Sequence, residues 1–154
     1  MKNNEALRYQ QRLDNLFKQI ATFSGDVELQ SHWARYLCVL VSGFLEVSIR
    51  AIYGQYARNK ASHYVANFVE SELKGFQNPK MEKILELTKS FSPTWADELK
   101  IVTDGELKDA VDSIVAVRNN IAHGQNVGIT YTTIKNYYQN VVKVIEMLEN
   151  QCQI

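Results

Sequence analysis

Cysteine, proline and long apolar runs are all scarce in these 154 residues, and neither sign of charge is in excess. Seventeen Lys plus Arg balance seventeen Asp plus Glu, for a formal net charge of zero. That excludes bulk, sequence-blind adhesion to nucleic acid or anionic lipid, which needs a basic excess, and leaves room only for a local basic patch. The two cysteines, Cys38 and Cys152, fit no metal-binding spacing, and Cys38 lies inside the apolar run YLCVLV. They read as reduced thiols of an intracellular protein, not as a disulfide. Three histidines stand far apart with no carboxylate cluster beside them, so neither a metal nor another cofactor is expected. The longest unbroken apolar run, Tyr36 to Val41, is too short to span a bilayer, and the opening MKNNEALRYQQRL lacks the apolar centre of a signal peptide. A soluble, cytoplasmic protein with no membrane partner is the expectation.

With two prolines, seven glycines, no repeat and no low-complexity stretch, little interrupts the chain. Strand-like alternation is absent, whereas apolar residues recur at helical spacing throughout. The first helix is expected over about 3–23, with Leu7, Leu13, Leu16, Phe17 and Ile20 on one side. Ser24-Gly25-Asp26 breaks it, and a long helix follows over about 28–58. A third runs over about 61–74, closed by Gly75 in the usual C-terminal glycine role. Asn78-Pro79 reads as a cap followed by proline at the first helical position, opening a helix to about Lys89. Ser92-Pro93 repeats the device for a short helix around Trp95 to Leu99. Thr103-Asp104-Gly105 opens the next, which runs to His123 and stops at Gly124. The last spans about 131–151. The expected fold is an all-α bundle of six to seven helices in one domain over 1–154.

The stretch AVRNNIAHG, residues 116–124, places an arginine oddly. At about 100° per residue, Leu107, Val111, Ile114 and Ile121 share a stripe, and Arg118 falls near its middle. A guanidinium keeps its charge, so burial there demands acceptors. Asn119 and His123, four apart, share a different face, and Arg118 and His123 point roughly 140° apart on a regular helix. His123 occupies the last turn, where unpaired carbonyls and the macrodipole favour a cation, a setting suited to general acid or base work. His123 with Gly124 also makes an ordinary helix stop.

A partner for Arg118 is available in LCVLVSGFLEVSIRAIY, where Ser42, Glu46 and Arg50 recur every four residues as a polar seam. Glu46 is placed to accept from Arg118 across a helix contact, or from Arg50 one turn on. Gly43 beside the seam would let another backbone approach closely.

The string RNNIAHG near the end of a late helix resembles the HEPN superfamily, whose signature is an arginine, a polar residue, and a histidine after a short gap. Arg118, Asn119 and His123 match it with four residues between arginine and histidine. WARYLCVLVSGFLEVSIRAIY, FQNPKMEKILEL and YTTIKNYYQNVVKVIEML extend the likeness to the branch associated with RiboL-PSP systems. That resemblance implies a metal-independent endoribonuclease, acting as a symmetric homodimer whose two motifs meet in one cleft. In it, His123 would be general base or acid, Arg118 would hold the phosphate, and Asn119 would orient the imidazole or donate to phosphate. Glu46, Arg50 and Asn120 are candidates for supporting positions. The product would be a 2′,3′-cyclic phosphate, the role a defence or toxin effector, and an antitoxin or sensor protein a further partner. A catalytically silent HEPN module that binds RNA or a protein is the alternative, and a plain scaffold with Arg118 in a buried ion pair is a third reading.

The sequence shows no clear basic groove for RNA, only scattered cations such as Arg50, Arg58 and Lys60. That suits a short or structured substrate, and equally a HEPN protein that has lost activity. Tyr131, Arg58 and Lys60 are the candidates for substrate contact. Tyr131, Tyr137 and Tyr138 have rings able to stack on unpaired bases, although aromatics at helical spacing usually belong to a core. His32 and His63 lack partners at useful spacing and read as structural or solvated. Ser42 has no adjacent base, and Trp95 reads as a core or interface anchor.

Overall fold

A computed structural model describes residues 1–23 and 25–154. Its described residues form seven helices and no strand: α1 (Asn4–Ala21), α2 (Val27–Lys60), α3 (His63–Leu73), α4 (Met81–Phe91), α5 (Pro93–Thr103), α6 (Glu106–Ala122) and α7 (Tyr131–Gln151). The all-helical expectation holds. Of the break expected at 24–26, Ser24 lies outside the described residues. Asp26 caps α2, its carboxylate accepting from the Leu29 N–H at 2.9 Å.

Helix α2 is the spine, packed by α1, α7, α6 and α3. Its most apolar 18-residue window has a mean hydropathy of 1.6, enough by length and composition to cross a membrane. The short unbroken run at 36–41 understated this. In the fold 61% of that window is buried inside the bundle. Leu37, Val41, Phe44, Leu45, Ile49 and Ile52 are all fully buried.

The register of α1 and α7 on α2 is fixed by polar ties as well as by the core. The Tyr9 hydroxyl donates to Leu40 O (3.1 Å), and Asn3 Nδ2 donates to Gln55 Oε1 (2.7 Å), so α1 runs antiparallel to α2. At the other end of α7, the buried Glu149 carboxylate accepts from the N–H groups of Lys2 (2.9 Å) and Asn3 (2.8 Å). Further along α1, Phe17 stacks on Tyr138 at 4.8 Å, and Phe44 meets Tyr138 at 5.9 Å. Tyr138 is therefore core, as its spacing suggested.

A second aromatic group, Tyr53–Phe91 at 4.5 Å and Tyr56–Trp95 at 5.4 Å, seats α4 and α5 on the far half of α2. The buried Tyr53 hydroxyl pairs with Thr88 Oγ1 at 2.7 Å; a buried phenol left unpaired costs about 1–3 kcal/mol. Both cysteine thiols are buried, and burial pushes each up to about 12, which leaves them protonated and inert.

Three boundaries differ from the sequence expectation. Gly75 ends α3 without a left-handed backbone, the turn closing through Gly75 N–H to Glu72 O (3.2 Å) and Phe76 N–H to Leu73 O (3.0 Å). Helix α4 begins at Met81, not after Asn78. Asn78 itself takes a left-handed φ of 48°, and the Met81 N–H is satisfied by Asp112 Oδ1 of α6 at 2.8 Å. Helix α5 reaches Thr103, whose Oγ1 donates back to Leu99 O (2.8 Å), so Thr103 closes α5 and does not open α6.

Candidate functional site

Helix α6 carries the AVRNNIAHG stretch out of the core. Ala110, Val111, Ile114 and Val115 are buried; Arg118 and Asn119 are half-buried; Asn120 and His123 are exposed. Arg118 is thus on the core-facing stripe, at the level where that stripe emerges from the packed interior.

The end of the helix is shaped by Gly124, which has a φ of +71°. Its N–H donates to Ile121 O (3.0 Å), and the Gln125 N–H reaches back to Asn120 O (2.9 Å). This paired closure is the Schellman arrangement. His123, the C-cap, has already left helical geometry (φ −90°, ψ 13°), while its N–H still bonds Asn119 O at 3.1 Å. The imidazole is presented at a rigid corner beside the helix's negative end.

Arg118 and Asn119 are joined directly: the Arg118 guanidinium donates to Asn119 Oδ1 at 3.3 Å. Among the described residues no carboxylate pairs with Arg118. Glu46 is occupied elsewhere. One of its oxygens holds Arg50 at 2.9 Å, and the other accepts the Asn78 N–H at 2.8 Å. Arg50 in turn donates to Phe76 O at 2.8 Å. The polar seam of α2 therefore fastens the segment between α3 and α4, and of the two partners open to Glu46 it has Arg50. Ser42, in the same seam, is buried. Gly43 gives close approach to the Tyr9 side chain and not to a backbone: a Cβ there would stand 2.9 Å from the Tyr9 hydroxyl.

Asn119 also looks onto a shallow groove of about 480 Å³ between α6 and α4, lined by Asn78, Lys80, Glu82, Lys83 and Glu86. Its charges are mixed.

The remaining sequence candidates lie apart from α6. Arg58 sits twelve residues beyond Glu46 on α2, about 18 Å along the axis. Its guanidinium grips Glu70 of α3 through Nε (2.7 Å) and a second nitrogen, and Asn67 at 2.8 Å. That charge-assisted pairing holds the Glu70 carboxyl below its ordinary range. Lys60 is exposed at the same end of α2. Tyr131 opens α7, its hydroxyl donating to Phe17 O at 3.0 Å and its ring tilted on Phe17 at 5.9 Å; burial pushes that phenol up. His32 and His63 are exposed, beside Arg35 and Arg58 respectively.

Sequence reasoning passed over two features. Asp112 supplies the non-local cap of α4, a contact no local pattern announces. The lysines Lys18, Lys135 and Lys143 gather with Tyr131 at a groove between α1 and α7. That corrects the expectation of cations merely scattered, and its signal was the four-residue ladder Tyr131, Lys135, Gln139, Lys143.

An all-helical bundle that ends a core helix in an arginine, an asparagine and an exposed histidine has the form expected of a HEPN protein. The model of the RiboL-PSP-HEPN family matches residues 4–153, and the chain belongs to that family. No curated protein and no solved structure matches it.

Proposed function

We propose that the protein is a metal-independent endoribonuclease whose active site is completed by a second copy of the chain. The observation that carries this reading is Arg118: a half-buried guanidinium with an amide beside it and no carboxylate, five residues before an exposed histidine. An unneutralised guanidinium with its fork partly open matches the oxygens of a phosphodiester. The ion-pair reading of Arg118 loses its partner, because Glu46 is spent on Arg50 and Asn78.

In the reaction, His123 of one chain takes the proton of the ribose 2′-hydroxyl, whose oxygen attacks the adjacent phosphorus. The bond to the 5′-oxygen breaks, and that oxygen leaves with a proton from the other chain's imidazole. Arg118 stabilises charge on the non-bridging oxygens, and Asn119 holds the guanidinium in place. The products are a 2′,3′-cyclic phosphate and a 5′-hydroxyl. Two motifs converging from two chains supply both the base and the acid, which one α6 does not. The role that fits is a cytoplasmic defence or toxin effector, restrained by an antitoxin or sensor protein.

The test is cleavage of mixed cellular RNA with EDTA present, with end-group analysis of the products. Wild type is expected to cut and leave cyclic phosphate ends, and Arg118→Ala and His123→Ala to lose at least about 100-fold in rate with helicity and mass unchanged. Wild type and variants equally inert on every RNA offered would overturn the nuclease and leave a silent RNA-binding module.

A further inference from the structure

The groove between α1 and α7 is a built surface that the motif does not use. The helices run antiparallel there, Tyr131 meeting Phe17 and Tyr138 meeting Gln10 and Asp14. Each contributes side chains four residues apart: Gln10, Asp14 and Lys18 from α1, and Lys135, Gln139 and Lys143 from α7. Side chains at this spacing share one helical face. The two faces enclose about 530 Å³.

The floor is apolar: Val142, Ala21 and the half-buried Tyr131 ring, over the edges of the largely buried, stacked Phe17 and Tyr138 rings. The walls carry three lysines against one carboxylate, in a chain with no net charge. That carboxylate is engaged, since Asp14 accepts from the Tyr138 hydroxyl at 2.6 Å. Lys18 and Lys135 are exposed and pair with no carboxylate among the described residues. Lys135 and Lys143 stand about 12 Å apart along α7.

We propose that this groove binds single-stranded RNA and leads it to the phosphate site at Arg118 and His123. An unpaired strand alternates flat apolar bases with anionic phosphates, which matches an apolar floor between cationic walls. The amides of Gln10 and Gln139 both donate and accept, so they serve any base edge. A duplex keeps its bases inside and offers that floor nothing. The segment from His123 to Tyr131 is eight residues, so the groove's mouth lies within about 28 Å of the imidazole. This proposal rests on RNA being the substrate of the motif.

The experiment uses His123→Ala protein, so that binding is read without cleavage. Its affinity for a labelled single strand of about 12 nucleotides is compared with that of the same protein carrying Lys18→Glu and Lys135→Glu, and with a milder pair, Lys18→Ala and Lys135→Ala. The charge-reversed protein is expected to bind roughly 10-fold more weakly, with a log–log salt slope shallower by about 1.4. The alanine pair should fall between, at unchanged melting temperature. Unchanged affinity, or an equal loss for a duplex of the same sequence, overturns the groove. The two proposals fail separately: binding that depends on the lysines, with an inert wild type, sinks the nuclease alone, while active wild type with indifferent lysines sinks the groove alone.

Discussion

Gly124 has no side chain, yet it sets where the His123 imidazole stands. Its left-handed backbone turns the chain just after the histidine, and its N–H closes the Schellman turn. A residue with a Cβ pays about 1–2 kcal/mol for that conformation. Gly124→Ala is therefore expected to lower the melting temperature by about 2–8 °C and to reduce RNA cleavage more than that loss of stability explains. Gly128→Ala is the matched control, since Gly128 has no positive φ and open space around its Cα. It should stay within about 0.5 kcal/mol of wild type. Thermal melts and cleavage rates of both variants check this, and equal behaviour would show that the turn does not position the histidine. Gly124 was legible because its cause is local: a helix pattern stops and a glycine follows. Arg118 was legible as an anomaly, but not its surroundings. That Glu46 gives its second oxygen to the Asn78 N–H depends on a contact 32 residues away in sequence.

At the level of helices, periodicity found every element, and the errors share a cause. Asn78-Pro79 looked like a helix start because its residue types suit one, but the cap of α4 comes from Asp112 on α6. Helix α5 was cut short because Thr103, a polar residue, fills a buried position by bonding Leu99 O, so the apolar stripe seems to end early. Gly43 was expected to admit another backbone, and what comes close is a side chain instead. Its Cβ direction is filled by the Tyr9 hydroxyl of α1. Gly43→Ala should push that hydroxyl off Leu40 O and cost about 1–3 kcal/mol, despite the better helix propensity of alanine. Tyr9→Phe removes the obstacle, so the double variant should recover much of the loss. A double-mutant cycle from urea unfolding reads the coupling, and strictly additive effects would mean that α1 and α2 do not meet as closely as described.

Across the whole molecule, the motif of one chain presents an arginine, an asparagine and a histidine near an open corner, and among the described residues no carboxylate pairs with Arg118 or His123. That the chain is a RiboL-PSP-HEPN protein was legible from residues 33 onward; the surface through which the proposed second copy would dock was not, since an interface is written in surface shape, not in local pattern. Mixed dimers test the shared cleft. Arg118→Ala and His123→Ala proteins are each expected to be silent, and after subunit exchange about half of the dimers contain one of each chain. Such a dimer retains one guanidinium and one imidazole, contributed from opposite sides. If the cleft is common to both chains, the mixture should recover measurable cleavage, though well below wild type because only one imidazole remains to act as base or acid. Mixing His123→Ala protein with the doubly substituted chain should recover none, which separates complementation from residual activity. Confirmed exchange without recovery would mean that the reaction needs both imidazoles at once, or else that each chain must use its own Arg118 with its own His123. The long arginine would then have to reach around a helix on which the two residues point roughly 140° apart, a geometry that a single α6 supports poorly and a facing copy makes unnecessary.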